Sequence, residues 1–349
     1  MSASFDYAQD ALPHKFFMRT LSNFDQLDAA LNQAQVLQHQ SDDAFRKYLA
    51  SFCMNLDAGR AMPADSFSED YRQWQLDLYA RIAQKPYALV NEETEFDLED
   101  ALRWPFPYAS RSAQLVGDYL VSYGFFIKMM NLPANAKILE MGSGYGPLTA
   151  HLAAMGYQMT CLDVSPRLLE FVQRRTAHLP TPVNTICGDM TTAPIDETFD
   201  AVVFYESFHH CVDHLRLLER LPALLKPGGL VAFAAEPIVP DDSPLVPYPW
   251  GLRMDGLSLW SIRRWGWMEL GFRESYFKNM LLQTGWRVQR HRLGQSGLTD
   301  VWLATRNDVP TYEATSAPDA ETELRKLRQL VAGYERGRVM RLMKWLHKH

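Results

Sequence analysis

The sequence has few cysteines. Only four occur among its 349 residues, Cys53, Cys161, Cys187 and Cys211, and no two stand in a Cys-x-x-Cys pair. A structural zinc site needs clustered ligands, and a disulfide-stapled fold needs densely spaced cysteines, so neither is expected. We predict reduced, mostly buried thiols and no bound metal.

Long apolar runs are also missing. No run approaches the roughly 18 residues that cross a bilayer, and residues 1–17 lack the basic start and continuous apolar stretch of a signal peptide. There is no overall excess of positive charge either, because the formal net charge is -6 and the sequence pI is about 5.9. Nothing global attracts nucleic acid. These absences predict a cytoplasmic protein without a nucleic-acid partner.

The charge is nevertheless uneven, since residues 321–349 carry eight Lys or Arg against three Glu. Apolar residues recur there at helical spacing, which predicts a basic amphipathic C-terminal helix within a final region, 307–349, that begins with a polar linker. Such a helix fits the inner membrane surface, where the protein would be peripheral, and equally a partner protein or the chain's own core. The oligomeric state is left open.

Changes in periodicity divide the rest of the chain. Residues 1–131 show helical patterns and no strand pattern, which predicts a helical N-terminal region. In residues 132–306 short apolar runs alternate with helical patterns. This alternation predicts a doubly wound α/β domain, with a mostly parallel, seven-stranded sheet and helices on both faces. A Trp- and Arg-rich insertion, residues 238–272, interrupts it.

A glycine-rich turn follows the first strand of this α/β domain. It reads Glu140-Met-Gly142-Ser-Gly144-Tyr-Gly146 and opens a helix. Glycine lets the backbone approach a ligand closely and takes positive φ values that other residues disfavour. Alone the turn is a weak signal, because many strand–helix turns contain glycine.

Residues at the ends of the next three strands strengthen the signal. Asp163 ends the second strand, where a carboxylate accepts hydrogen bonds from ribose hydroxyls. Asp189 follows the third strand, placed to accept from an adenine amino group while Met190 packs on the ring, and Tyr205 closes the fourth. Strand ends of a parallel sheet share one edge, so these residues predict a nucleoside site.

With these residues in this order, the chain resembles the class I S-adenosylmethionine (SAM)-dependent methyltransferases, whose first motif reads E/D-x-G-x-G-x-G. The resemblance covers about residues 136–306. It implies that SAM is the cofactor, that Glu140 supports the turn and the amino-acid end of SAM, and that Asp163 binds ribose. The cofactor contacts predicted in this way are Glu140, Gly142, Ser143, Gly144, Gly146, Asp163, Val164, Asp189, Met190 and Tyr205.

A nicotinamide-dependent dehydrogenase is the main alternative, because it shares the glycine-rich turn and the acid after the second strand. Its fingerprint is G-x-G-x-x-G, whereas the glycines here run G-x-G-x-G. Glu140 also disfavours a pyrophosphate and favours the cationic groups of SAM. Structural roles remain open for single residues, such as Asp163 as a helix cap.

The segment after the fourth strand supplies candidates for a general base. Methyl transfer requires that the acceptor be aligned with the methyl group and, for a hydroxyl, that its proton be removed. His209 and His210 titrate near neutral pH, and Glu206 and Glu236 are the other candidates. A structural role for each remains an alternative. A metal held by Glu206, His209 and Asp213 is disfavoured.

Two features bear on the acceptor. Residues 204–207 read Phe-Tyr-Glu-Ser and not the N/D-P-P-Y of family members that methylate nucleic-acid bases, which favours an oxygen acceptor by elimination. In the insertion, tryptophan faces beside Arg and Asp suit a sugar ring, although they suit a lid or a dimer contact equally. The substrate-binding candidates are Trp250, Arg253, Asp255, Trp260, Arg263 and Arg264.

Together these features predict a SAM-dependent O-methyltransferase that acts on a sugar or glycan intermediate. A methyltransferase for small phenolic or natural-product acceptors is the alternative, and a closed apolar pocket beneath the insertion would favour it. A non-catalytic SAM-binding subunit, attached to a partner through residues 321–349, is a third hypothesis.

Overall fold

The computed structural model of the chain describes residues 19–55, 61–93, 95–104, 106, 112–294 and 297–307. The predicted C-terminal helix, residues 321–349, and nearly all of its linker lie outside these residues. In the part that is described, no helix is both long enough and apolar enough to cross a membrane.

The N-terminal region is mostly helical, as expected. Several of its helices begin at a polar capping residue. The side chains of Asn23, Ser41 and Ser68 each accept a hydrogen bond from a backbone N–H of the first turn that follows. The elements are β1 (Arg19–Leu21), α1 (Phe24–Gln40), α2 (Asp42–Leu49), β2 (Phe52–Met54), α3 (Glu69–Ala83), a 3-10 helix (Leu89–Glu92), α4 (Leu98–Leu102) and α5 (Ala113–Met130).

The region also contains two short strands that its sequence pattern did not indicate. Strands β1 and β2 pair in parallel, with Thr20 opposite Cys53. Each has only three residues, which is too short for a period of two to stand out in the sequence.

The α/β domain and its insertion follow α5. Their elements in chain order are β3 (Lys137–Met141), α6 (Pro147–Ala154), β4 (Gln158–Asp163), α7 (Pro166–Thr176), β5 (Asn184–Cys187), β6 (Phe199–Tyr205), a 3-10 helix (Phe208–His210), α8 (His214–Leu224), β7 (Leu225–Ala234), β8 (Ile238–Val239), β9 (Trp250–Leu252), α9 (Gly256–Arg264), β10 (Leu270–Arg273), α10 (Glu274–Gln283), β11 (Trp286–Arg292), a 3-10 helix (Gly297–Thr299) and β12 (Asp300–Arg306).

Seven of these strands form one sheet in the order β11-β12-β7-β6-β3-β4-β5. Only β12 runs antiparallel to its neighbours. The central strands are buried on both faces, as the apolar runs Val202–Phe204 and Val231–Ala234 require. The predicted doubly wound, mostly parallel sheet is confirmed. Helix α8 ends at Leu224, because Leu225 already pairs with Phe199 of β6.

The insertion has a small sheet of its own, in the order β8-β10-β9. It packs on the N-terminal region. The Tyr71 hydroxyl and the Gln75 side-chain amide both donate to the Trp250 carbonyl, at 2.8 and 2.9 Å, and the Met54 N–H donates to the Met254 carbonyl at 2.8 Å. Because the insertion enters after the carboxyl end of β7, this packed layer stands at the edge of the sheet where ligands bind in α/β folds.

Candidate active site

The glycine turn takes the conformation that its residues predict. Gly142, Gly144 and Gly146 have φ values of 72, 52 and 60°, which favour glycine. A Cβ atom on Gly142 would lie 2.7 Å from the Ser207 Cβ, and one on Gly146 would lie 2.6 Å from a Val172 methyl group. A Cβ on Gly144 would meet nothing within 4 Å. Two of the glycines therefore permit close packing, and the third leaves open space beside the backbone.

Two buried acids hold this turn. Glu140 accepts a hydrogen bond from the Thr149 hydroxyl, and burial raises the pKa of Glu140 to about 8 despite that bond. Asp163 accepts from the backbone N–H groups of Gly144 and Ser165, both at 2.9 Å. Burial raises the pKa of Asp163 as well, against the effect of these bonds. The end of β4 is thereby tied to the turn after β3.

A cavity of about 240 Å³ lies along this edge of the sheet. Every predicted cofactor contact lines it except Gly146, which packs on α7. We call residues 140–146, 163–164 and 189–191 the inner wall. Among the described residues that line the cavity none is a Lys or Arg, whereas seven carry carboxylates: Glu92, Glu140, Asp163, Asp189, Glu206, Asp213 and Glu269.

Other lining residues come from outside the core of the sheet and were not predicted. They are Tyr87, Leu89 and Glu92, which precede α4, and Trp267 and Glu269, which lie between α9 and β10. We call residues 87–92 and 267–269 the outer wall. Its two segments bond to each other, since the Met268 N–H donates to Glu92 Oε1 at 2.8 Å. These partners are 176 positions apart, so no local signal could have joined them.

The loop after β6 is held by Glu236. One carboxylate oxygen accepts from the N–H groups of Ser207 and Phe208, both at 2.9 Å. The other accepts from the His209 N–H at 3.2 Å and lies 2.8 Å from His209 Nδ1. Neither His209 nor Glu236 has an exposed side chain, and neither lines the cavity. In this structure both residues hold the loop in place, and the general-base role of either stays a prediction.

His210, the next residue, does line the cavity, and its side chain is 25% exposed. Its Nδ1 lies 3.3 Å from Glu92 Oε2, an ion-pair distance without the alignment of a hydrogen bond. Burial and the adjacent His209 ring lower the pKa of His210, but the carboxylates of Glu92 and Glu269 outweigh them and raise it above its ordinary value. Of the two candidate histidines, His210 is the one that can reach a ligand.

Glu206 also lines the cavity, with a left-handed φ of 52°. The Tyr119 hydroxyl of α5 lies 2.8 and 3.0 Å from its two carboxylate oxygens. The disfavoured metal site gains no support. Asp213 pairs with Arg72 at 2.5 Å, His209 is buried, and the described residues contain no cluster of three or more suitable ligands.

The predicted substrate-binding residues do not reach the cavity. Trp250 and Trp260 are 2% and 3% exposed, and the Trp250 indole donates to the Ser66 carbonyl at 2.8 Å. Arg253 is buried against Asp255 at 3.2 Å. Large aromatic side chains at a helix–sheet contact bury more apolar area as core than as a binding surface, and here they form the core between the insertion and the N-terminal region.

The two remaining candidates also lie elsewhere. Arg263 pairs with Asp28 of α1 at 2.5 Å and donates to the Ile82 carbonyl at 2.5 Å. Arg264 is exposed, with its guanidinium 5.5 Å from the Trp265 ring. Neither lines the cavity. None of the six substrate-binding candidates lines the cavity in this structure, whereas Trp267 and Glu269 of the same insertion do.

Known proteins resemble the segment that contains the inner wall. Residues 139–233 match the family model described as a methyltransferase domain. A ubiquinone biosynthesis O-methyltransferase of Xanthomonas axonopodis is 29% identical over 99 residues, which are 28% of this chain and 41% of that protein. An uncharacterized methyltransferase of Mycobacterium tuberculosis is 35% identical over 96 residues, 27% of this chain and 48% of that protein. The chain thus spans less than half of these curated relatives.

A solved structure is similar to this chain at lower sequence identity. The 1,6-didemethyltoxoflavin-N1-methyltransferase of Burkholderia thailandensis, solved with its substrate and S-adenosylhomocysteine, has a TM-score of 0.39 at 18% identity. The alignment covers 54% of this chain and 77% of that one.

Proposed function

We propose that residues 139–233, which match the model described as a methyltransferase domain, are a class I SAM-dependent methyltransferase domain with SAM as its cofactor. On this basis the chain methylates a small-molecule acceptor. The acceptor would bind between the outer wall and the cofactor. One observation carries the proposal: a single cavity is lined both by the inner wall and by an aromatic and acidic outer wall.

The inner wall suits SAM in charge and shape. Glu140, Asp163 and Asp189 line it, whereas no described lining residue offers the positive charge that a pyrophosphate needs. The open space beside Gly144 lets a ligand lie against the backbone. SAM supplies an electrophilic methyl group on a sulfonium. The residues of this wall would hold its cationic groups when it binds.

The outer wall favours a small acceptor that is neutral or cationic. Tyr87, Leu89 and Trp267 offer apolar surface, while Glu92 and Glu269 would repel an anion. An enclosed, largely apolar pocket beneath the insertion is what the small-molecule hypothesis requires. The glycan hypothesis has lost its support, because the Trp and Arg side chains on which it rested are buried or lie elsewhere.

An oxygen acceptor remains the better choice. His210 lines the cavity, and in this proposal it accepts the proton of the acceptor hydroxyl. A relative named as an O-methyltransferase agrees with this choice, but the match covers 28% of this chain and does not identify the acceptor.

Calorimetry and transfer assays on the full chain test the proposal. S-adenosylhomocysteine should bind with saturable heat and NAD⁺ should not; the reverse result would overturn the cofactor assignment. Labelled SAM is then offered with tyramine, tyrosol and 4-hydroxyphenylacetate, phenols of similar size whose side chains are cationic, neutral and anionic. We expect transfer to the first two at least about tenfold faster than to the third. Preference for methyl glucosides would restore the glycan hypothesis, and binding without turnover would favour a SAM-binding subunit.

A further inference from the structure

Glu92 joins three separate segments at the cavity. It ends the 3-10 helix Leu89–Glu92, its Oε1 accepts the Met268 N–H at 2.8 Å, and its Oε2 lies 3.3 Å from His210 Nδ1. Its side chain is only 10% exposed. A single carboxylate therefore connects both segments of the outer wall to the loop that follows β6.

The position of this carboxylate bears on which nitrogen of His210 carries the proton. In a neutral imidazole one ring nitrogen donates and the other accepts, and the partner of one nitrogen determines the role of the other. A carboxylate accepts hydrogen bonds only. Glu92 beside Nδ1 thus favours the Nδ1–H tautomer and leaves Nε2 with its lone pair.

We propose that Glu92 is a positioning residue, which holds the His210 ring with its proton on Nδ1 so that Nε2 receives the proton of the acceptor hydroxyl. This inference rests on the proposed function. In the step, the O–H proton passes to Nε2, the oxygen bonds to the methyl carbon of SAM, and the electron pair of the broken C–S bond stays on sulfur. His210 then releases its proton to water.

The surroundings of His210 agree with this role. The charged groups that face it are Glu92 from the 3-10 helix, Glu269 from the insertion and Asp163 from β4, with the His209 ring 4.3 Å away on the other side. Three carboxylates stabilise the imidazolium that forms during transfer, against burial and His209. The 3.3 Å contact is long, but contacts of this kind often shorten once the reactants bind.

A purely structural role is the competing explanation, since Glu92 also braces Met268. The variant Glu92→Gln separates the two, because its amide oxygen still accepts the Met268 N–H while its charge is gone. Glu92→Asp keeps the charge and serves as a second variant if Glu92→Gln unfolds. Glu93→Gln, an exposed neighbouring change, is the matched control.

The experiment uses the full chain, labelled with ¹⁵N in histidine and saturated with S-adenosylhomocysteine. The His210 signals are assigned by their loss in His210→Gln, and the tautomer and pKa are read by NMR. We expect the Nδ1–H tautomer in the wild type, a pKa lower by about one pH unit in Glu92→Gln, and no change in Glu93→Gln. The acidic limb of the rate profile, measured with the best phenol of the panel, should shift with the NMR titration.

An Nε2–H tautomer in the wild type, or an unchanged His210 titration in Glu92→Gln, would overturn the role of Glu92 while leaving the methyltransferase proposal intact. Failure of the wild type to bind S-adenosylhomocysteine would instead overturn both. The two failures are therefore distinguishable in one sample series.

Discussion

The inner and outer walls of the cavity are built in different ways. The inner wall comes from the ends of consecutive strands. Hydrogen bonds tie these ends together, such as the one that the Gly144 N–H donates to the Asp163 carboxylate. The outer wall comes from two segments outside the core, which meet through the bond from Met268 to Glu92. The strands of the sheet fix the positions of the inner-wall residues. The positions of the outer-wall residues instead depend on how the insertion packs against the N-terminal region. Changes in the inner wall should therefore alter cofactor binding, and changes in the outer wall should alter acceptor use.

The largest effect is expected at Glu236, which anchors the loop between the two walls. Glu236→Ala leaves the buried N–H groups of Ser207, Phe208 and His209 without their acceptor. We expect the free energy of unfolding to fall by about 3–5 kcal/mol in urea titrations. Glu99→Ala, which removes an exposed, solvent-screened pair with Arg174, should cost far less. Equal losses in the two variants would contradict the anchoring role.

The next effect tests the inner wall. Gly142→Ala puts a Cβ atom 2.7 Å from Ser207 at a positive φ, so the turn must move. We expect calorimetry to show affinity for S-adenosylhomocysteine reduced about 100-fold. Gly124→Ala in α5, where a Cβ meets nothing within 4 Å, should bind normally. Near-normal binding by Gly142→Ala would show that the turn is more adaptable than its packing indicates.

A pH effect should belong to the inner wall as well. The ordinary pKa of Glu140 is 4.5, and burial raises it to about 8, while a cationic ligand favours the ionised form. Affinity for S-adenosylhomocysteine should therefore rise by up to about tenfold per pH unit below pH 8 and then level off. Without ligand, the stability due to this carboxyl is present below about pH 4.5 and lost as the pH rises through 8. Glu140→Gln should flatten both curves, and a slope retained in this variant would assign the effect to another group.

The smallest effect tests the outer wall. Trp267→Leu removes an aromatic face from the cavity, and we expect KM for the best phenol acceptor to rise about fivefold while affinity for S-adenosylhomocysteine changes less than about twofold. Trp265→Leu is the control, because Trp265 neighbours Trp267 without lining the cavity. An equal loss of affinity for S-adenosylhomocysteine in Trp267→Leu would contradict the assignment of cofactor binding to the inner wall and acceptor binding to the outer wall.

The cofactor side could be predicted because its signals are local. Glycines at fixed spacing after a strand, and acids at the ends of the next two strands, stand within about 50 residues, and a parallel sheet brings strand ends to one edge. The two histidines were also found, but sequence alone could not separate them. Burial against Glu236 keeps the His209 side chain out of the cavity, and only the packing of the folded chain reveals this.

The acceptor side of the cavity could not be predicted, because composition does not say which tryptophans pack in the core and which line the cavity. Trp250 and Trp260 became core because α3 and α2 of the N-terminal region pack on them. Trp267 of the same run lines the cavity. Glu92 had no signal at all, since its partners Met268 and His210 are distant in sequence.

The sequence by itself determined the α/β sheet, the glycine turn and the acids of the inner wall, because strand periodicity and turn chemistry act over short stretches of chain. Only the tertiary structure decided which insertion residues and which of the two histidines line the cavity. The physical reason is that burial and charge pairing depend on contacts between segments that are distant in sequence, 27 positions apart for His209 and Glu236 and 176 for Glu92 and Met268, so a local pattern does not reveal them.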